Sequence, residues 1–333
     1  MSEKIHLLPS DAKRKRLIRA QVSTNPHYGK APHNRTIQEL LSNGFINLDK
    51  PRGPTSHQVD AWIKEILDID KVGHGGTLDP GVTGVLPVAL GSGTRALQVL
   101  LVAGKEYIAL MKLHKSVEKK KLIETCESFI GDVEQLPPVR SAVKRVKRKR
   151  KIYYLDVLEV RGTDVLFKVG CEAGTYIRTL CVDIGKKLGC GAHMVELRRT
   201  RVGTITEHES VTLHDVKDAY ITWKEHGDET DIRTTIQPME RLLDLVPKII
   251  IRDSAVDALC HGARLAIPGV VELDSGIKRD DIAAVLTLKG EGVALVKMVL
   301  STEEIMQKDS GVCAHPERVL MNKGTYPSIW KKQ

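Results

Sequence analysis

The stretch Gly73-His74-Gly75-Gly76-Thr77-Leu78-Asp79-Pro80-Gly81-Val82-Thr83-Gly84 constrains this chain more than any other. Five glycines in twelve residues disfavour a helix or a long strand, because glycine loses more backbone freedom on ordering than other residues. No Lys follows Gly84, which excludes the phosphate-binding loop G-x-x-x-x-G-K-[ST]. No clear strand–loop–helix unit surrounds the glycines either, which argues against a dinucleotide fingerprint and a doubly wound sheet. Two readings of the segment stand. It is an ordinary surface loop in which Asp79 opens a turn before Pro80. Or it is a rigid loop presenting Asp79 as a carboxylate usable as nucleophile or base.

The flanking pattern points to an α+β architecture with a mixed sheet. Residues 45–48, 107–113, 152–160, 165–171 and 195–202 read as strands, and the apolar run 85–90 interrupts the glycine-rich stretch. Thr55 and Gln58 have capping-box spacing before a helix with Val59, Trp62, Ile63, Ile66 and Leu67 on one face. A second helix is predicted over 118–130, ended by Gly131. A third, capped by Thr175, carries Ile177, Leu180, Cys181, Ile184 and Leu188 on one side and stops at Gly189. Strands and helices alternate irregularly, unlike a doubly wound fold.

With 333 residues the chain is long enough for two domains. Residues 1–44 are polar and basic, an extension that needs a partner surface to become ordered. Residues 45–246 form the main domain, polar and helical or looped from 204 onward. From Pro247 short strands with one small helix suggest a β-barrel-like module over 247–322, followed by a tail at 323–333. The extension is expected to pack on that module.

Fifty-one Lys and Arg against 42 Asp and Glu leave a net charge of +9. That favours a polyanionic partner, and charge alone leaves nucleic acid and a membrane surface both open. The apolar runs are too short to span a bilayer, and the charged start carries no secretory apolar block. Six cysteines without a C-x-x-C pair or a suitably spaced histidine fit a reducing compartment and no structural zinc. Residues 144–151 hold seven Lys or Arg in eight positions, including Lys144, Arg145, Lys147 and Arg148. They form either a solvated loop or a set of phosphate contacts.

Three further places offer chemistry. Arg178, two residues after Tyr176, is a solvated helix residue or the partner of a carboxylate that it keeps ionised. Tyr107 is core, or a ring that stacks on a base. Arg198 and Arg199 alternate faces in a strand, so at least one reaches solvent or phosphate.

Six motifs in order carry a resemblance: Ile46-Asn47-Leu48-Asp49-Lys50-Pro51; Gly73 to Pro80; Ala103-Gly104-Lys105-Glu106-Tyr107; Pro137-Pro138-Val139-Arg140-Ser141-Ala142-Val143-Lys144-Arg145; Gly174-Thr175-Tyr176-Ile177-Arg178-Thr179-Leu180; and Ala192-His193-Met194-Val195-Glu196-Leu197-Arg198-Arg199-Thr200. Over nearly its whole length the chain resembles the TruB-type pseudouridine synthases. Within them it is most similar to the dyskerin-type catalytic subunits of box H/ACA guide-RNA particles, in their archaeal form. The resemblance implies that the module from Pro247 is an RNA-binding PUA pseudobarrel.

It implies that Asp79 is the catalytic aspartate, Arg178 its ion-pair partner, Tyr107 the ring stacked on the target base and Tyr176 the tyrosine beside the glycosidic bond. Leu197 would line the base pocket, His74 would lie near the flipped nucleotide and Lys50 would support the site. Many relatives have Ser where this chain has Gly75, which implies a change in loop stiffness. No cofactor is implied. The implied partners are a guide RNA, a substrate RNA and three small proteins: a zinc-ribbon-like subunit, a β-barrel subunit of the Gly-Arg-rich type and a ribosomal-type kink-turn binder. Absence of a long Lys-rich tail favours the archaeal type, hence a cytoplasmic protein rather than a nucleolar one. A stand-alone tRNA pseudouridine-55 synthase and a non-catalytic RNA-binding scaffold are the alternatives.

Overall fold

The computed structural model describes residues 7–137 and 146–328, built on two sheets. The larger has ten strands. Gly44–Lys50 pairs antiparallel with Thr83–Leu90, and its other edge carries the short Gln237–Pro238. Thr83–Leu90 then meets Ala192–Val202 in parallel through just two register pairs, Thr83 with Arg198 and Gly84 with Arg199. Beyond lie Lys105–Leu113, Asp164–Cys171, Arg148–Arg161 and Gly131–Gln135, all antiparallel.

That short parallel junction is where the glycine-rich loop enters the sheet. Gly84 sits at φ +102°, and a Cβ there would lie 2.1 Å from the Arg199 carbonyl oxygen. Only glycine permits both this backbone and this approach.

Helix Ser56–Leu67 has the expected capping box, Thr55 accepting from Gln58 N–H and Gln58 accepting from Thr55 N–H. It buries Val59, Ile63 and Leu67, whereas Trp62 stays 43% exposed, so the packed face is narrower than the sequence pattern implies. Helix Lys119–Glu127 ends short of the expected 130, because Gly131 opens the Gly131–Gln135 strand instead of closing a helix. In Ile177–Leu188 all five expected apolar residues are buried and Gly189 takes the left-handed cap. Thr175 does not cap it. Tyr176 holds the N-cap position, and the Thr175 hydroxyl donates to the Glu172 carbonyl.

The smaller sheet runs in the order Arg16–Ile18, Val270–Asp274, Lys248–Ile251, Ile282–Thr287, Gly292–Met298, Val312–Val319, Leu265–Ala266. It wraps one apolar core containing Ile249, Val285, Val296 and Cys313. The N-terminal segment takes its order from the chain itself. Arg16–Ile18 adds an edge strand to this sheet, and Ile37–Asn43 is a helix with a Thr36–Glu39 capping box that buries Ile37 and Leu40.

Between the sheets lies a shared core. Phe45, Val85, Leu242 and Leu243 from one side pack with Ile250, Ala284, Leu286 and Leu295 from the other. Position 247 therefore marks a change of sheet, not a break in packing.

Candidate active site

The glycine-rich loop is held from three directions. Ser56 Oγ accepts from Leu78 N–H at 2.9 Å and donates to Leu78 C=O at 3.2 Å, tying the loop to the first turn of Ser56–Leu67. Gly53 N–H donates to Pro80 C=O at 2.8 Å. Beneath, the Lys50 side chain is wholly buried and its ammonium donates to the carbonyls of Pro51 (2.8 Å), Val82 (3.0 Å) and Pro80 (3.4 Å). Burial lowers the Lys50 pKa, and the Asp79 charge works against that shift. A turn closed by Val82 N–H on Asp79 C=O leaves the Asp79 side chain projecting outward.

There it meets Arg178. Nη2 lies 2.5 Å from Asp79 Oδ2, with the two side chains 47% and 58% exposed. At that exposure the pair adds about 0–1 kcal/mol to stability, so its consequence is orientation. The helix N-terminus that carries Arg178 is itself clamped. Gln135 Oε1 accepts from Tyr176 N–H at 2.9 Å and Gln135 Nε2 donates to Tyr176 C=O at 3.1 Å.

Asp79 and Arg178 line a cleft of about 610 Å³ together with Tyr107, Tyr176, Leu197 and Arg199. Burial raises the Tyr107 pKa, opposed by the Arg199 charge, so the phenol stays neutral near pH 7. A single carboxylate beside two tyrosine rings and an apolar wall can attack, or deprotonate, one flat group held in the cleft.

Not every sequence-derived residue arrives here. Lys50 supports the loop from behind. His74, with a side chain 6% exposed, does not line the cleft; its Nδ1 lies 2.6 Å from Asp60 Oδ2 and its Nε2 3.3 Å from Thr77 Oγ1. Lys147 is exposed and pairs with Glu134 at 3.1 Å, and Arg148 is exposed at the start of Arg148–Arg161. Lys144 and Arg145 lie outside the described residues. Arg198 keeps partial exposure, yet its guanidinium is held by Asp49 (2.9 Å twice) and Glu207 (2.7 Å).

Sequence reasoning missed Gln135, Lys105 and Arg199 in the site. The alternation of residues 198 and 199 signalled that at least one reaches solvent or phosphate, but not which, and sequence reasoning placed neither in the cleft. It also missed a cysteine-free cluster: ligand atoms of His57, Asp60 and His74 lie within 4.8 Å of one another and could hold a cation. In the structure the short Asp60–His74 hydrogen bond occupies part of that set.

Comparison with known proteins follows the same architecture. Residues 64–177 match the model of the TruB family pseudouridylate synthase N-terminal domain, and 178–244 that of the tRNA pseudouridylate synthase B C-terminal domain. Residues 247–320 match the PUA domain, and 5–60 the DKCLD domain. A protein of Methanosarcina barkeri named "Probable tRNA pseudouridine synthase B" is 54% identical over 98% of this chain and 96% of its own. Among solved structures, one titled "Crystal Structure of a Cbf5-Nop10-Gar1 Complex" superposes with a TM-score of 0.93 at 53% identity, covering 97% of this chain and 98% of that one. Another, "Structure of H/ACA RNP bound to a substrate RNA containing 2'-deoxyuridine", gives 0.92 at 51% identity over 97% and 100%.

Proposed function

The chain belongs to the TruB family of pseudouridine synthases, isomerases that act on RNA, and on that premise we propose that it is the catalytic subunit of a box H/ACA guide-RNA particle. One observation carries the reading of the site: a carboxylate held by Arg178 at the mouth of a cleft sized for a single extruded nucleoside.

Isomerisation of uridine breaks C1′–N1, turns the base and joins C5 to C1′. The target must first leave its stack, at a cost of a few kcal/mol, and enter a pocket. Tyr107 receives the base on its ring, Leu197 walls the pocket against water and Tyr176 sits beside the glycosidic bond. Asp79 attacks C1′ or removes the C2′ proton. Arg178 aims it. Lys50 fixes the loop that presents it, and His74 acts through Thr77 on the same loop and not on the base.

Residues 247–322 are proposed to anchor the guide RNA, with Lys147, Arg148 and the neighbouring Lys144 and Arg145 contacting phosphate. Similarity to complexes whose titles name Nop10, Gar1 and substrate RNA supports partners of that kind, the zinc-ribbon-like and β-barrel subunits. A kink-turn binder completes the proposed particle. Among the described residues no helix is long and apolar enough to cross a membrane; a cytoplasmic location is proposed.

A second reading has its own support, since curated relatives carry names of tRNA enzymes. The same site would then act on tRNA without a guide. Pseudouridine formation by the purified chain on a ribosomal RNA fragment, with and without an H/ACA guide, decides between them. Guide-dependent turnover is expected; equal activity without guide would overturn the guided reading.

A further inference from the structure

Two cations are buried in the cleft wall without a carboxylate. Lys105 is 6% exposed and Arg199 1%, and both line the cleft that holds Asp79 and Tyr107. The Lys105 ammonium donates to Leu100 C=O at 2.8 Å. Arg199 donates to Val85 C=O at 2.7 Å and to Gly76 C=O at 3.0 Å. Among the described residues neither has an ion pair with an acid. The adjacent carboxylate, Glu106, is engaged elsewhere, accepting from Tyr154 and Thr200 hydroxyls. Buried guanidinium elsewhere does find acid, as Arg35 does with Glu240.

Arg199 also makes a side-chain hydrogen bond with Tyr107. Burying charge against neutral dipoles is costly, and two like charges near each other add to it. Burial and the neighbouring Arg199 together push the Lys105 pKa down to about 8. Each cation keeps N–H groups that no carbonyl uses, since an ammonium has three and a guanidinium five. Such an arrangement is suited to an anion that enters the cleft.

We propose that Lys105 and Arg199 form a cation pair that receives the negative charge of the detached uracil base. The proposal rests on the pseudouridine synthase reading. When C1′–N1 breaks, the bonding electron pair leaves with N1. If Asp79 has attacked C1′, its negative charge becomes part of a neutral ester. If it has taken the C2′ proton, it becomes a neutral acid. On either route one negative charge moves from Asp79 to the base, spread over N1 and the flanking carbonyl oxygens. As C5 bonds to C1′, the ester bond breaks and its electron pair returns to Asp79, or on the other route the Asp79 proton returns to C2′. The C5 proton is then lost and N1 gains one, so charge and atoms balance. Arg178 stabilises the charge at the start; Lys105 and Arg199 stabilise it in the interval, where preorganised donors matter most.

The test uses the guide-assembled particle and single-turnover rates on a substrate with one target uridine. Lys105→Met should slow C1′–N1 cleavage by about 10²-fold with substrate affinity unchanged, and Lys105→Arg should recover most of it. Loss of the wild-type rate above about pH 8 should disappear in Lys105→Arg. Arg199→Lys, which keeps the charge, guards against a loss that only reflects the hold on Gly76. With 5-fluorouridine at the target the detached base is a more stable anion, so the ratio of wild-type to Lys105→Met rates should shrink. An equal ratio for both substrates would overturn the proposal. So would weakened RNA binding at unchanged rate, which would mark a phosphate contact. An inactive wild type, or an active Asp79→Asn, would instead strike the enzyme reading itself.

Discussion

Arg178 reaches Asp79 across 2.5 Å and 99 positions of sequence, joining a glycine-rich loop to the first turn of a distant helix. Both backbones at this junction are clamped, one by Ser56 and Lys50, the other by Gln135. The ion pair is half exposed, but its supports are buried. Reach to substrate and fixed geometry are thus supplied by different residues.

Asp79→Asn should lower pseudouridine formation by roughly 10⁴-fold or more while RNA binding persists. Arg178→Ala should cost less, on the order of 10²–10³-fold, because the carboxylate remains but is no longer aimed. Single-turnover rates and filter binding check both. Full turnover by Asp79→Asn would remove the assignment.

Gly75→Ser tests the one motif position where the chain departs from the pattern its resemblance implies. A Cβ there would lie 2.0 Å from Leu100 Cδ1 and 2.5 Å from Leu100 Cβ. The serine must displace Leu100, whose carbonyl holds Lys105. The expected cost is about 1–3 kcal/mol, and pairing it with Leu100→Ala should give a clearly non-additive double-mutant cycle in thermal unfolding. The expected difference in loop stiffness is therefore at root a packing difference.

Lys105→Met should not destabilise the fold at pH 7. The folded-state pKa is depressed to about 8 from 10.5, so the unfolded chain binds more protons between those values. Folding therefore carries a penalty that is fully present below about pH 8 and is relieved as pH rises toward 10.5. Removing the ammonium relieves up to about 3 kcal/mol at pH 7, offset in part by the bereaved Leu100 carbonyl. Melting temperatures of both proteins at pH 7 and pH 10 should converge at the higher pH. A destabilisation of the variant that ignores pH would contradict the electrostatic account.

Truncation at residue 246 should give an insoluble or unfolded product instead of a guide-blind enzyme. It strips Ile250, Ala284, Leu286 and Leu295 from the core shared with Phe45 and Val85. Expression followed by far-ultraviolet circular dichroism reads this directly. A cooperative, folded 1–246 fragment would show that the two sheets are energetically independent.

Local signals in the sequence were reliable where the physics is local. The Thr55–Gln58 box, the Ile177 to Leu188 face and the Gly189 cap depend on residues within a turn or two of one another. The six ordered motifs carried the family, because their residue types recur together with the site they build. Errors came from neighbours distant in sequence. Thr175 turned to Glu172 rather than to the helix, and Trp62 was left at the surface. Both outcomes were set by contacts outside the local pattern.

Composition and caps thus pointed to an α+β chain, and the resemblance carried by the six ordered motifs implied RNA modification with Asp79 as the reactive acid. Tertiary structure alone decided that Arg199 faces inward while Arg198 pairs with Asp49, because strand alternation supplies a period and not a phase. It alone set two cations, without acid partners among the described residues, in the cleft that Asp79 lines, and it alone fused the two sheets through one core. Those outcomes depend on long-range register, chiefly the two-residue parallel contact of Thr83 and Gly84 with Arg198 and Arg199. No window of sequence contains both sides of that contact.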